Sequence, residues 1–137
     1  MKRFGLLAIL FAILFAIVSC GTPQQKDASA EKAEPVAIEN FNVEQFGELV
    51  KDTTVVLLDV RTPEEFAQGC IEGAMNIDVK DSLFIEKVQA AIPSGAKVAV
   101  YCRSGRRSMM AAGQMLEKGY IPVNLDGGIL AWKEAGR

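Results

Sequence analysis

The sequence contains no histidine, which excludes every Ser-His-Asp or Cys-His catalytic arrangement and every histidine-ligated zinc or haem site. Cysteine is scarce: Cys20, Cys70 and Cys102 are the only three, too few for the thiolates of an all-cysteine zinc site or for a disulfide-dense miniature fold. Nor is there a surplus of positive charge. Lys and Arg number 15 against 17 Asp and Glu, a formal net charge of −2, which offers no basic field to a nucleic acid. Neither a dinucleotide fingerprint nor an internal repeat is present. The 137 residues suffice for one ordinary domain and exclude two.

What is there begins with a leader. Met1-Lys2-Arg3 is a positive start, and the uncharged run from Phe4 to Val18 is apolar but shorter than the roughly 20 residues of a spanning helix. Gly21, Thr22 and Pro23 end it abruptly. The junction Ile17-Val18-Ser19-Cys20 resembles the lipobox of bacterial lipoproteins. The resemblance implies cleavage after residue 19, a lipidated Cys20, and a protein anchored in the cell envelope by that lipid, facing the periplasm or the exterior. Residues 20–35 then form a tether, because the stretch after Cys20 carries Gln, Lys, Ala, Ser, Glu and Pro without an aromatic or branched aliphatic side chain. About 15 such residues reach at most roughly 50 Å.

Residues 36–137 read as a single α/β domain, with a mainly parallel central sheet and helices on both faces. Strands are expected at Val36 to Ile38, Val55 to Asp59, Ala74 to Ile77, Lys97 to Tyr101 and Val123 to Leu125. The run of Val55 to Asp59 is too uniformly apolar for a surface strand and suits a central one. Helices are expected from Asn42 to about Lys51, with Gln45 as the reciprocal capping partner, and from Thr62-Pro63-Glu64-Glu65 to near Gly69. Three more follow: Ser82 to Ile92; Ser108 to Lys118, with Met109, Ala112, Met115 and Leu116 facing inward; and a terminal helix carrying Trp132.

Chemistry concentrates where the fourth strand ends. A cysteine at the carboxyl end of a central strand, followed by a Gly-containing loop and then a helix, lies where open α/β sheets bind ligands. The loop is Cys102-Arg103-Ser104-Gly105-Arg106-Arg107, leading into Ser108. Its backbone N–H groups can converge on one point, and the helix N-terminus adds partial positive charge there. Together with the three arginines, these favour a thiolate at Cys102 without any base to take its proton.

Four segments in order resemble the rhodanese family: Leu58-Asp59-Val60-Arg61-Thr62-Pro63-Glu64-Glu65-Phe66, Gly69-Cys70-Ile71-Glu72-Gly73-Ala74-Met75-Asn76-Ile77, the Cys102 to Arg107 loop, and Asp126-Gly127-Gly128-Ile129-Leu130-Ala131-Trp132. The resemblance covers about residues 36 to 136. It implies a sulfurtransferase in which Cys102 takes a sulfur from thiosulfate, a persulfide or a polysulfide, and passes it to a thiol or to cyanide. Arg103, Ser104, Gly105, Arg106, Arg107 and Ser108 would form the substrate-binding loop, with Arg107 either holding the cradle or binding departing sulfite. Asp59 and Arg61 would support the loop as a buried carboxylate and its ion-pair partner, and Glu65 would cap its helix. Cys70 stands where the family usually has His, as a packing substitution or as a second thiol within reach of Cys102.

Other readings divide on specific features. Cysteine phosphatases and arsenate reductases commonly close the cradle as C-x5-R, whereas here four residues separate Cys102 from Arg107. A non-catalytic binding or sulfur-sensing module would form no persulfide, and a Cys70/Cys102 redox switch would titrate as a dithiol. The expected partners are a small sulfur-containing anion as donor, a thiol or cyanide as acceptor, and the membrane through Cys20. No metal and no cofactor beyond the covalently carried sulfur is expected.

Overall fold

Short aliphatic strands separated by capped helical stretches have no hairpin turns between them, so each strand must return through a crossover and the sheet they build is parallel. The computed structural model describes residues 37–137; the leader, Cys20 and the tether lie outside the described residues. The chain runs β1 (Glu39–Phe41), α1 (Val43–Leu49), β2 (Val56–Asp59), α2 (Pro63–Ala67), β3 (Met75–Asn76), α3 (Phe84–Ala91), β4 (Lys97–Tyr101), α4 (Arg106–Glu117), β5 (Ile121–Leu125) and α5 (Gly128–Glu134). Its five strands lie in the order β1-β5-β4-β2-β3, and all pairs are parallel.

The sheet is covered on both faces, as alternation along its inner strands requires. Leu58, Val98, Val100 and Cys102 share one core with Phe84 and Val88 of α3 and Ala111 and Met115 of α4. Leu57, Ala99 and Tyr101 share the other with Phe46 of α1 and Ile129 of α5, against which Trp132 packs. Each fully buried Leu, Phe or Val contributes about 1.5 to 3 kcal/mol relative to exposure. The thiol of Cys102 therefore belongs to the α3/α4 face and lies beneath the start of α4.

Local signals set the helix starts. Asn42 and Gln45 form a reciprocal capping box on α1, and Thr62 and Glu65 another on α2, where Pro63 occupies the first turn. Helix α4 is different: its N-cap is Gly105, at φ +95°, with no side-chain cap. Its first amides are thus left free for another acceptor.

Several boundaries differ from expectation by one or two residues, β5 beginning at Ile121 rather than Val123 and α3 at Phe84 rather than Ser82, and the starts of β1 and α4 and the buried face of α4 differ in ways that bear on the site. The first strand is not residues 36–38; Ala37 and Ile38 are non-strand, Val36 lies outside the described residues, and β1 begins at Glu39. The strand is fixed by its partner, with Glu39, Asn40 and Phe41 opposite Val123, Asn124 and Leu125. Helix α4 begins at Arg106 rather than Ser108, because Gly105 turns the chain into the helix two residues earlier. On α4, Ser108 and Ala111 are buried with Ala112 and Met115, while Met109 and Leu116 are only half-buried.

Candidate active site

Cys102 follows the last residue of β4 and is 1 % exposed. The loop after it curls so that the Gly105 N–H donates to Cys102 Sγ at 3.1 Å and the Ser108 hydroxyl lies 3.3 Å from the same sulfur. Burial pushes the thiol up, but the Ser108 hydroxyl and the backbone amides of Ser108, Ser104 and Gly105 outweigh it, and the pKa falls below its ordinary value. The Ser108 hydroxyl also lies 3.1 Å from the Gly105 carbonyl. With one proton to give, the hydroxyl can serve only one of these two acceptors at a time.

None of the loop's three arginines hydrogen-bonds Cys102 Sγ, whose partners are the Gly105 amide and the Ser108 hydroxyl. Arg103 and Arg106 are exposed and line clefts on different flanks of the loop. Arg107 pairs with Glu65, with Nη1–Oε2 and Nη2–Oε1 both 2.7 Å, and the charge of Cys102 also acts on it. The hydrogen bond from Arg107 drives the Glu65 carboxyl down to about 2, helped by the Thr62 amide. Glu65 is thus both a helix cap and the anchor of the loop's closing residue.

Asp59 and Arg61 form the buried pair that the sequence suggests, with Arg61 Nε 3.0 Å from both Asp59 oxygens and Nη2 2.6 Å from Oδ2. Arg61 Nη2 also donates to the Gly69 carbonyl at 2.8 Å, and Asn76 Nδ2 donates to the carbonyls of Asp59 and Arg61. This network ties the end of β2 to the segment carrying Cys70. Cys70 itself is exposed, Cys102 is buried, and both are free thiols. Cys70 lines a groove with Trp132 and Arg137 that does not include the Cys102 loop.

A clasp that the sequence reading missed comes from the Asp126-Gly127-Gly128 turn. Ile129 N–H donates to the Cys102 carbonyl at 2.9 Å and Leu130 N–H to that of Arg103 at 3.2 Å. Gly128 has φ +59°, and a Cβ there would lie 2.5 Å from the Arg103 carbonyl carbon and oxygen. Only glycine lets α5 come this close to the loop. The paired glycines were a visible signal for such an approach; the Glu65–Arg107 pair, joining residues 42 apart, had none beyond the motif itself.

The Rhodanese-like domain model matches residues 42–135. A sulfurtransferase of Allochromatium vinosum is 38% identical over 101 residues, covering 72% of this chain and 92% of that protein. The thiosulfate sulfurtransferase PspE of Escherichia coli is 38% identical over 73 residues, covering 53% of this chain and 68% of its own length. Among solved structures, a rhodanese-related protein from Thermoplasma volcanium superposes with a TM-score of 0.63 at 33% identity, covering 72% of this chain and 93% of that one. The parallel sheet, the cysteine cradled at the end of β4 and these sulfurtransferase relatives agree: the chain belongs to the rhodanese-like domain family.

Proposed function

We propose that this protein is a single-domain sulfurtransferase that carries sulfur as a persulfide on Cys102. The observation that carries the reading is the pair of donors on Cys102 Sγ, the Gly105 amide and the Ser108 hydroxyl, which favour an anionic sulfur in a site without a general base. The thiolate attacks the outer sulfur of thiosulfate; the new S–S bond forms as the old one breaks, and the electron pair leaves with sulfite. A persulfide or polysulfide donor loses its sulfur in the same way, releasing a thiolate or a shorter polysulfide. The terminal sulfur, still anionic, keeps the amide donors until cyanide or a thiolate takes it and returns the electron pair to Cys102.

Intact mass of the detergent-solubilised chain, reduced and then exposed to thiosulfate or polysulfide, tests this. The expected result is a gain of one sulfur atom that requires Cys102, survives Cys70→Ala and is discharged by cyanide. No gain moves the reading to a binding or sensing module, and a loss of two hydrogens requiring both cysteines moves it to a redox switch.

The lipobox supports a place for this chemistry in the cell envelope, on a lipid attached to Cys20. The N-terminal peptide of the mature protein is expected to begin at Cys20 and to carry acyl groups, and Cys20→Ala to abolish both the acylation and the cleavage after residue 19. An unmodified Cys20 in the parent's N-terminal peptide would overturn the anchor.

A further inference from the structure

Two clefts share Ile129 and Lys133 of α5 in their lining. The first, of about 390 Å³, runs past Arg61, Arg103 and Leu130; the second, of about 430 Å³, past Val50, Trp132 and Arg137. They make one furrow, with α5 as one wall and residues 68–72 as the other. We propose that this furrow docks a short acidic segment of a partner protein, with an apolar side chain set between its carboxylates. The proposal is independent of the sulfur-transfer reading, because the occupant needs no thiol and lies against residues other than Cys102.

Charge gives the sign of the occupant. Among the described residues, Arg103, Lys133 and Arg137 enter no ion pair. Glu65 borders the first cleft with its carboxylate bound to Arg107, which leaves Glu72 as the unpaired acid of the furrow. Three cations thus face one carboxylate, on a chain whose formal net charge is −2. Arg61 adds an independent argument: it lines the first cleft and is 5 % exposed. Its Nε and Nη2 serve Asp59 and the Gly69 carbonyl, while Nη1 has no acceptor among the described residues. A nearly buried guanidinium with an unused N–H at a cleft calls for an acceptor from outside the chain.

Lining gives the rest of the pattern. A Cβ on Gly69 would lie 3.8 Å from Lys133 Nζ, so the ammonium reaches across the furrow where the two clefts meet. In the second cleft the half-buried Trp132 and Val50 give apolar surface, with the Arg137 guanidinium 5.6 Å from the centre of the Trp132 ring. An apolar side chain on Trp132 would therefore be flanked by carboxylates on Arg137 and on Lys133, with Arg103 and Arg61 beyond. Helix α5 has seven residues; at about 1.5 Å each they span about 10 Å, which about three extended residues cover.

A layer of anionic lipid headgroups is the other negatively charged partner that such cations attract. The furrow suits it poorly. A flat layer cannot reach a guanidinium that is 5 % exposed inside a cleft, whereas a single carboxylate can enter and accept from it.

Trp132 is the only tryptophan of the chain, so intrinsic fluorescence reads the furrow directly. The detergent-solubilised chain is titrated with acetyl-Asp-Glu-Phe-Glu-Asp-amide, with its neutral counterpart acetyl-Asn-Gln-Phe-Gln-Asn-amide, and with phosphatidylglycerol added to the micelles. The acidic peptide is expected to give a saturable change that weakens with added salt and to slow alkylation of Cys70, which lines the second cleft. Lys133→Gln should raise the Kd about three- to tenfold, and Lys133→Glu more. Lys118→Glu, the same change of charge on an exposed residue at the end of α4, should leave the Kd as in the parent. No saturable binding, equal binding of the neutral peptide, or equal losses in Lys118→Glu and Lys133→Glu would each overturn the proposal. A response to phosphatidylglycerol alone would overturn it in favour of a lipid contact. None of these readings depends on whether Cys102 takes sulfur, so the two proposals fail separately.

Discussion

Glu65 and Arg107, 42 residues apart in the chain, meet through two parallel hydrogen bonds of 2.7 Å, so the first turn of α2 is bolted to the first turn of α4. The residue that closes the Cys102 loop is thereby held from outside it. The Glu65 carboxyl lies at about 2 in the folded protein against an ordinary 4.5. Its contribution to stability is therefore present above about pH 4.5 and is lost as the pH falls toward 2. Both side chains are about a quarter exposed, so screening limits the contribution to on the order of 1 to 2 kcal/mol. Urea melts at pH 3, 5 and 7 should show Glu65→Gln less stable than the parent at pH 5 and 7, with the difference narrowing at pH 3.

Ser108 acts on the sulfur more directly. Its hydroxyl is one of the groups that hold the Cys102 thiol below its ordinary pKa, and Ser108→Ala removes it while leaving the amide donors in place. The thiol pKa should rise, lowering the thiolate fraction at neutral pH. A hydrogen bond to a charged acceptor is worth about 1.5 to 3 kcal/mol, so alkylation of Cys102 by iodoacetamide near pH 7 should slow by about tenfold or more. The pH profile of that rate should move to higher pH. An unchanged profile would assign the acidity to the amides alone.

Much of this architecture was legible because it is local. Residues 97–101 were read correctly to the residue as β4, an apolar run between a Gly-containing turn and the polar loop, and the Thr62–Glu65 box marked α2 through chemistry contained in four residues. The edge strand was misplaced because Val36 and Ile38 look more β-like than Glu39 and Asn40, while pairing with β5 decides the matter. Ser108 was read in the sequence as the first residue of its helix; it lies inside the first turn and faces the sulfur. The cysteine and its loop were visible as a strand–loop–helix pattern. The pairing of Arg107 with Glu65 was not, since no local rule joins residues so far apart.

Asp59 and Arg61 test the cost of a broken buried pair. Asp59 is 0 % and Arg61 5 % exposed, and Asp59→Asn would leave the guanidinium buried beside a neutral amide. Losing one partner of such a pair costs about 3 to 5 kcal/mol. Chemical denaturation should show a loss of that size. Removing both charges, as in Asp59→Asn with Arg61→Met, should be less damaging than the single change, because the uncompensated buried charge is gone.

Gly128 offers the sharpest steric prediction. A Cβ would have to enter 2.5 Å from the Arg103 carbonyl at φ +59°, and the neighbour is backbone that cannot swing aside. Gly128→Ala should therefore either push α5 away from the loop, breaking the Ile129–Cys102 and Leu130–Arg103 hydrogen bonds, or shift the loop itself. The left-handed conformation alone costs a non-glycine residue about 1 to 2 kcal/mol, and the clash adds to it. Gly113, mid-helix in α4 with nothing within 4 Å of its missing Cβ, is the matched control, where Ala should be neutral or stabilising by up to about 1 kcal/mol. If thermal melts show Gly128→Ala as harmless as Gly113→Ala, the clasp does not constrain the loop; if Gly128→Ala alone destabilises the fold and slows alkylation of Cys102, the approach of α5 is what fixes the loop's amides on the sulfur.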